Sequence, residues 1–413
     1  MDWVIEMKPV VSQPKQRSAA SQIAVDPIER IEAVWLRCPI EPESQATSDF
    51  GAMETFSTVI VRITSRSGVV GHGETKAAGG SVSLNYALTA LIERELGPLL
   101  IGKNAFDIAG NWEELYNGIR SGYARAKGRA FPSLGRRGLT LCAIAGIDIA
   151  LWDLVGRAVG LPASQLMGGR IRHSIPLYAS GGWAPLPKIG DEVRRYVDSG
   201  FKAIKMRVGS KDGPVDASAA RVAAARKAIG PNLELMVDAH GTFNVPEAKR
   251  FARLVQDANL RWFEEPVTGE DKEGLAEIRR STDIPIAAGE NEFTRFDFRE
   301  YAERRALDVW QPDLSICGGL TEGLRISALA ATHQVELAPH YWGGPLTMAA
   351  SAHLASVSPA VAILEYPVGA NPMMHRLNAS PWPVKDGVLE IPSTPGLGIE
   401  LDEDFMKKWR VDV

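Results

Sequence analysis

Gly200-Phe-Lys-Ala-Ile-Lys-Met-Arg207, Leu233-Glu-Leu-Met-Val-Asp238, Arg261-Trp-Phe-Glu-Glu265 and Ile284-Pro-Ile-Ala-Ala-Gly289 are short apolar runs that each close on or beside a charged residue. Runs this short, bounded by polar or turn residues, read as buried strands. The segments between them read as helices. Ala217–Ile229 is alanine-rich and stops at Gly230-Pro231. Asn244-Val-Pro-Glu247 offers a cap, an early proline and a first-turn glutamate.

The same alternation extends in both directions. Ile175–Ser180 precedes it as a strand, and Leu307–Gln311, Val335–His340 and Val361–Glu365 follow. Leu320–His333 and Pro345–Ala355 are the last amphipathic helices. Eight strands separated by helices require parallel pairing with crossovers, and eight is the number that closes a TIM-type barrel. An open doubly wound sheet would need a glycine-rich phosphate loop after an early strand, and none stands there.

Upstream the pattern is different. Ile28–Leu36 and Thr58–Thr64 read as strands, and Gly68-Val-Val-Gly71-His-Gly73 as a turn-rich segment. Pro39–Met53 reads as a long loop, and Ser83–Leu91, Phe106–Asn117 and Gly138–Val159 as helices. The last is apolar around most of its circumference, which implies burial between layers. The expected division is a flexible extension over 1–25, an α+β domain over 26–170, a barrel over 171–370 and a C-terminal segment over 371–413.

The chain's 413 residues suit a barrel plus a smaller domain. A net charge of −4 with no face-length basic run argues against a nucleic-acid partner. The short basic stretch Arg120–Arg129 reads as a mobile surface loop. No stretch is read as a signal peptide or a membrane span, so no membrane partner is expected. The three cysteines, Cys38, Cys142 and Cys317, are too scattered for a disulfide framework or zinc site, and a reducing cytoplasm fits.

Charge sits where a barrel should be apolar. Lys205, Arg207, Asp238, Glu264, Glu290, Asp313, His340 and Glu365 stand at or just beyond strand ends. The C-terminal strand ends of a barrel surround one mouth, so these side chains converge. Asp238, Glu264 and Glu290 recur at intervals of 26 residues, one strand-helix repeat each. Three converging carboxylates repel unless a cation neutralises them. An all-oxygen set suits Mg²⁺ better than Ca²⁺; zinc would want histidine or cysteine. At the first strand Pro176-Leu-Tyr178 likewise offers no histidine pair for a zinc hydrolase.

Asp313 and His340 fall on adjacent strands. A carboxylate on one ring nitrogen fixes the tautomer and raises the basicity of the other, which makes a general base. His333 and His353 lie within helices and are left out of the site. Lys205 is placed to hold a substrate carboxylate, with Arg207 two residues on and pointing the same way. Glu365 would donate a hydrogen bond to an enolate oxygen if its carboxyl is protonated.

In this order and on these strands, the residues resemble the enolase superfamily and, within it, the mandelate racemase subgroup. The landmarks are Ala143-Ile-Ala-Gly-Ile-Asp-Ile-Ala-Leu-Trp-Asp153, Leu166-Met-Gly-Gly169, Gly200–Arg207, Val237-Asp238, Phe263-Glu-Glu-Pro266, Ala288-Gly-Glu290, Gln311-Pro-Asp313 and Pro339-His340. The resemblance runs from about Ile28 to the end. It implies an α/β fold with a modified TIM barrel of (β/α)7β type, capped by the N-terminal α+β region and the C-terminal tail. It implies Mg²⁺ on Asp238, Glu264 and Glu290, Asp313–His340 as the base dyad, and a substrate-covering loop near Pro39–Met53. A homo-oligomer, from dimer to octamer, is expected.

Two positions depart from the subgroup. Arg207 stands where a second lysine base is found, and arginine stays protonated at neutral pH. His240 stands where asparagine is common; it would contact a substrate hydroxyl or hold Glu264. With a single dependable base, the expected reaction is loss of water from a sugar acid, giving a 2-keto-3-deoxy acid. A racemase or epimerase of a 2-hydroxy acid is the alternative, and a catalytically silent carboxylate-binding relative is a third reading.

Overall fold

The computed structural model describes residues 25–42, 45, 47–48, 51–78, 82–118, 126–128 and 135–412. The proposed extension over 1–25, save its last residue, most of the basic stretch Arg120–Arg129 and part of the loop Pro39–Met53 lie outside the described residues.

The first domain is a three-stranded antiparallel sheet, β1 (Ile28–Pro39), β2 (Thr55–Ser65) and β3 (Val70–Thr75), in the order β1-β2-β3. Helices α1 (Leu84–Ala90), α2 (Ile108–Asn117) and α3 (Leu139–Val159) pack with it. The segment read as turn-rich is largely β3. Gly68, at φ +88°, does turn the chain, but Gly71 and Gly73 serve close packing: a Cβ on Gly71 would lie 2.3 Å from the Ala150 carbonyl oxygen, and one on Gly73 2.0 Å from that of Gly146. Backbone meets backbone here, with no room for side chains. Helix α3 is, by length and composition, apolar enough to cross a membrane, contrary to the expectation that no segment is. It is instead the buried centre of the molecule, apolar on all sides because β3 covers one face and the barrel another.

The second unit is a barrel. Strands β4 (Ser174–Gly181), β5 (Ala203–Arg207), β6 (Glu234–Asp238), β7 (Leu260–Glu264), β8 (Ile286–Ala288), β9 (Val309–Trp310) and β10 (Glu336–Leu337) pair in parallel in chain order. β11 (Leu364–Pro367) pairs in parallel with β4, and a parallel bridge from Leu337 to Val361 joins the seventh strand to the segment entering the eighth. Seven helices separate the eight strands: α4 (Leu186–Asp198), α5 (Val215–Ile229), α6 (Val245–Leu254), α7 (Lys272–Arg280), α8 (Thr294–Arg304), α9 (Gly319–His333) and α10 (Pro345–Val357). This is the expected (β/α)7β barrel.

The barrel floor is a closed apolar layer with one residue per strand segment: Tyr178, Ala203, Met236, Trp262, Ala287, Val309, Ala338 and Ile363. Side chains alternate along a strand, so the next inward layer lies two residues on. That layer is Ser180, Lys205, Asp238, Glu264, Gly289, Gln311, His340 and Glu365. The apolar floor seals the barrel from below, and the polar layer above it faces the mouth.

The C-terminal tail ties the two units. Val388–Glu390 adds an antiparallel strand to β4. Leu397 N–H donates to Asp153 Oδ1 (2.7 Å), and Val411 N–H donates to the Trp35 carbonyl (2.8 Å).

Candidate active site

The polar layer, with Glu290 from the position after Gly289, gathers the expected carboxylates. Ligand oxygens of Asp238, Glu264 and Glu290 all lie within 4.8 Å of one another, with Asp238 and Glu264 fully buried. Lys205, also fully buried, fans across them: its Nζ is 2.6 Å from Glu264 Oε1, 2.9 Å from Glu365 Oε1 and 3.5 Å from Asp238 Oδ2. Burial opposes its charge, yet Glu264 and Glu365 hold it well above the ordinary lysine range. Arg207 ion-pairs with Asp238 and lies over the Trp183 ring, 5.0 Å from its centroid.

The expected donor role of Glu365 requires a protonated carboxyl. The structure holds it ionised. Burial pushes its pKa up, but Lys205, His340 and the Tyr341 N–H (2.9 Å) outweigh that and hold it at about 2. Glu365 Oε2 accepts the Tyr341 N–H, and Oε1 ion-pairs with Lys205.

His340 Nδ1 donates to Asp313 Oδ2 (2.9 Å), and its Nε2 is 3.3 Å from Glu290 Oε2. Burial disfavours the imidazolium, but Glu290, Glu365 and Asp313 together raise the pKa above the usual histidine value. Asp313 Oδ1 accepts from Ser315 N–H (2.8 Å) and Oγ–H (2.6 Å), which fixes the carboxylate plane. Burial works against its charge, but Lys76 and His340 outweigh it and keep Asp313 strongly ionised. His240 places Nε2 3.9 Å from Asp238 Oδ2, with its ring 6.2 Å from that of Trp183; the carboxylate at this distance is that of Asp238, where Glu264 was the one considered.

Several residues were not singled out from the sequence. Gln311 Nε2 donates to Glu264 Oε2 (2.6 Å), as does Trp262 Nε1 from the floor (3.1 Å). Gln311 lies two residues past Val309, so the layer rule would have found it. Glu265 is buried beside the triad with its carboxyl pushed well up by burial, Glu290 and Glu264. Trp183 walls the Arg207 side. From β3 come Glu74 and, just beyond it, Lys76, whose Nζ is 3.0 Å from Asp313 Oδ2.

These residues fit a divalent ion. Glu290 Oε2 is buried and accepts no hydrogen bond among the described residues. Asp238, Glu264 and Glu290 bring three carboxylates together, and a divalent ion would relieve their mutual repulsion. All-oxygen donors suit Mg²⁺.

The chain matches two families along its length: mandelate racemase/muconate lactonizing enzyme, N-terminal domain, over residues 31–168, and enolase C-terminal domain-like over residues 188–405. It belongs to the mandelate racemase/muconate lactonizing enzyme family. Among family relatives, the D-galactarolactone cycloisomerase of Agrobacterium fabrum is 33% identical, covering 86% of this chain and 91% of that one. The D-galactonate dehydratase of Pectobacterium atrosepticum is 34% identical, covering 84% and 90%. The solved enolase-superfamily member from Polaromonas superposes with a TM-score of 0.83 at 32% identity, covering 94% and 98%. A racemase from Streptomyces coelicolor solved with bound magnesium superposes at 0.81 with 31% identity, covering 93% and 100%.

Proposed function

We propose that the chain is a Mg²⁺-dependent acid-sugar dehydratase. One arrangement carries the reading: His340 Nε2, backed by Asp313, opens onto the carboxylate triad, while Arg207 fills the place of a second base. Asp238, Glu264 and Glu290 would hold the ion, which when bound would supply Lewis-acid stabilisation to a substrate carboxylate.

His340 Nε2 takes the α-proton, and the C–H electron pair moves into the carboxylate as an enediolate. Lys205 faces that developing charge from a fully buried position, where a fixed cation counts for most. The enediolate then expels the β-hydroxyl, which takes the proton back from His340 and leaves as water. The resulting enol tautomerises to the 2-keto-3-deoxy acid. The α-proton of a carboxylate is so weakly acidic that the site must supply roughly 10 kcal/mol or more of electrostatic stabilisation. Arg207 holds Asp238 and stays charged throughout, so it does not deliver a proton to the opposite face.

The dehydratase relatives support this reading, and the sugar-acid substrate class rests on their names. The cycloisomerase relative favours a second reading, an isomerase that uses the same first proton removal. A panel of mono- and diacid sugars separates them. Under the dehydratase reading, 2-keto products appear by semicarbazide trapping, need Mg²⁺ and vanish with EDTA. Turnover without metal, or solvent deuterium entering recovered substrate with no keto acid formed, overturns it.

A further inference from the structure

The strand edge of the capping sheet reaches into the dyad. β3 ends at Glu74-Thr75, and Lys76 follows. Lys76 Nζ donates to the Trp342 carbonyl (2.6 Å) and sits 3.0 Å from Asp313 Oδ2. His340 Nδ1 donates to that same oxygen from 2.9 Å. Thr75 Oγ1 lies 2.8 Å from the carbonyl of Ser315, the residue whose N–H and hydroxyl hold the other Asp313 oxygen. Glu74 accepts from the Gly344 N–H and from the Thr347 N–H (3.0 Å), on the far side of Trp342. Three consecutive residues of one domain thus grip both loops that carry the dyad in the other.

We propose that Lys76 is a positioning residue for the Asp313–His340 dyad: its ammonium holds Asp313 in place as a carboxylate and shares Oδ2 with the imidazole. The proposal rests on His340 being the base. Asp313 is fully buried, and its other donors, Ser315 N–H and Oγ–H, are neutral. His340 alternates between charged and neutral as it takes and returns the substrate proton. When that proton passes to the leaving hydroxyl, Asp313 loses its transient counter-ion, and a buried carboxylate without one is costly. Lys76 is the permanent counter-ion. By occupying part of Oδ2 it also keeps the imidazole from an over-strong hydrogen bond that would retain the proton.

Two measurements test this, the first without substrate. In low-field proton NMR of the purified protein, the His340 Nδ1–H resonance is identified by its loss in His340→Asn. In Lys76→Gln, which keeps a donor for the Trp342 carbonyl but removes the charge, this resonance is expected to move downfield as Oδ2 is no longer shared. An unmoved resonance overturns the proposal.

The second is kinetic, on the acid sugar turned over fastest in the panel. Lys76→Gln is expected to lose about 10- to 100-fold in kcat, with KM and melting temperature near wild type, the range typical of groups that orient a reacting side chain. Lys76→Arg restores part of the loss. Full kcat in Lys76→Gln, or an arginine variant no better than glutamine, overturns the proposal. Should Lys76→Gln not fold, Lys76→Cys takes its place. Aminoethylation of that thiol rebuilds the ammonium selectively, since Cys38, Cys142 and Cys317 are buried. Recovery of kcat then supports the role, and no recovery in folded protein overturns it. A dead His340→Asn beside a fully active Lys76→Gln defeats this proposal alone; an active His340→Asn defeats the dehydratase reading.

Discussion

The barrel mouth and the edge of the capping sheet bring charge to the same imidazole by different routes. At the mouth, eight strands each contribute one residue to an apolar floor, and the residues two positions on form the polar layer. At the capping edge, β3 and the residue after it contribute Glu74 and Lys76 from a single place. The first arrangement is repeated, and repetition makes it redundant in the sequence. The second occurs once and is defined only by what the strand abuts.

The largest effects should come from breaking the barrel side. Glu290→Gln removes a charge from the triad, and Mg²⁺ affinity by calorimetry is expected to fall by roughly 10-fold or more, with turnover lost. His340→Asn should lower kcat by about 10³-fold while Mg²⁺ affinity stays near wild type. If both variants lose metal equally, the separation of ligand from base at the barrel mouth is wrong.

On the capping side, apart from Lys76, the effects should be on stability. Gly73→Ala drives a Cβ into the Gly146 carbonyl, 2.0 Å away, and should cost about 1–3 kcal/mol in denaturant unfolding. A neutral result would mean that β3 and α3 separate freely. Glu74→Gln weakens acceptance from the Gly344 and Thr347 N–H groups, and about 1–2 kcal/mol should be lost. A further effect concerns pH. Burial first, then Arg157 and Arg62, depress the His72 pKa from 6.5 to about 3. Between those values the unfolded chain binds the proton and the folded one does not, so stability falls as pH drops through this window. His72→Gln should flatten that slope; an unchanged slope assigns it to other groups.

The same contrast explains what could be read from the sequence. The barrel was legible because its strands recur with a charged residue at each end, and Asp238, Glu264 and Glu290 keep an even spacing. Asp313 and His340 were legible because they lie on adjacent strands. Lys76 was not, because a lysine after a glycine-rich strand looks like a surface residue until β3 is docked. Gly71 and Gly73 read as turn formers from the sequence, since a period-2 pattern is silent where glycine replaces the side chain. The charge state of Glu365 was also beyond the sequence: it depends on Lys205 Nζ lying 2.9 Å away, which only assembly decides.

Helices α9 and α10, which follow Asp313 and His340, both begin at a glycine, Gly318 and Gly344, that has no side chain to cap them. Their caps come from the other domain. Asp148 on α3 accepts the Thr321 N–H (2.8 Å), and Glu74 on β3 accepts the Thr347 N–H (3.0 Å). The capping domain thus completes secondary structure in the barrel, which makes the two a poor pair for exchange. A barrel expressed alone would fray at the two helix starts nearest its base. A capping domain grafted from a relative would have to bring its own acids to both glycines before any question of substrate choice arose.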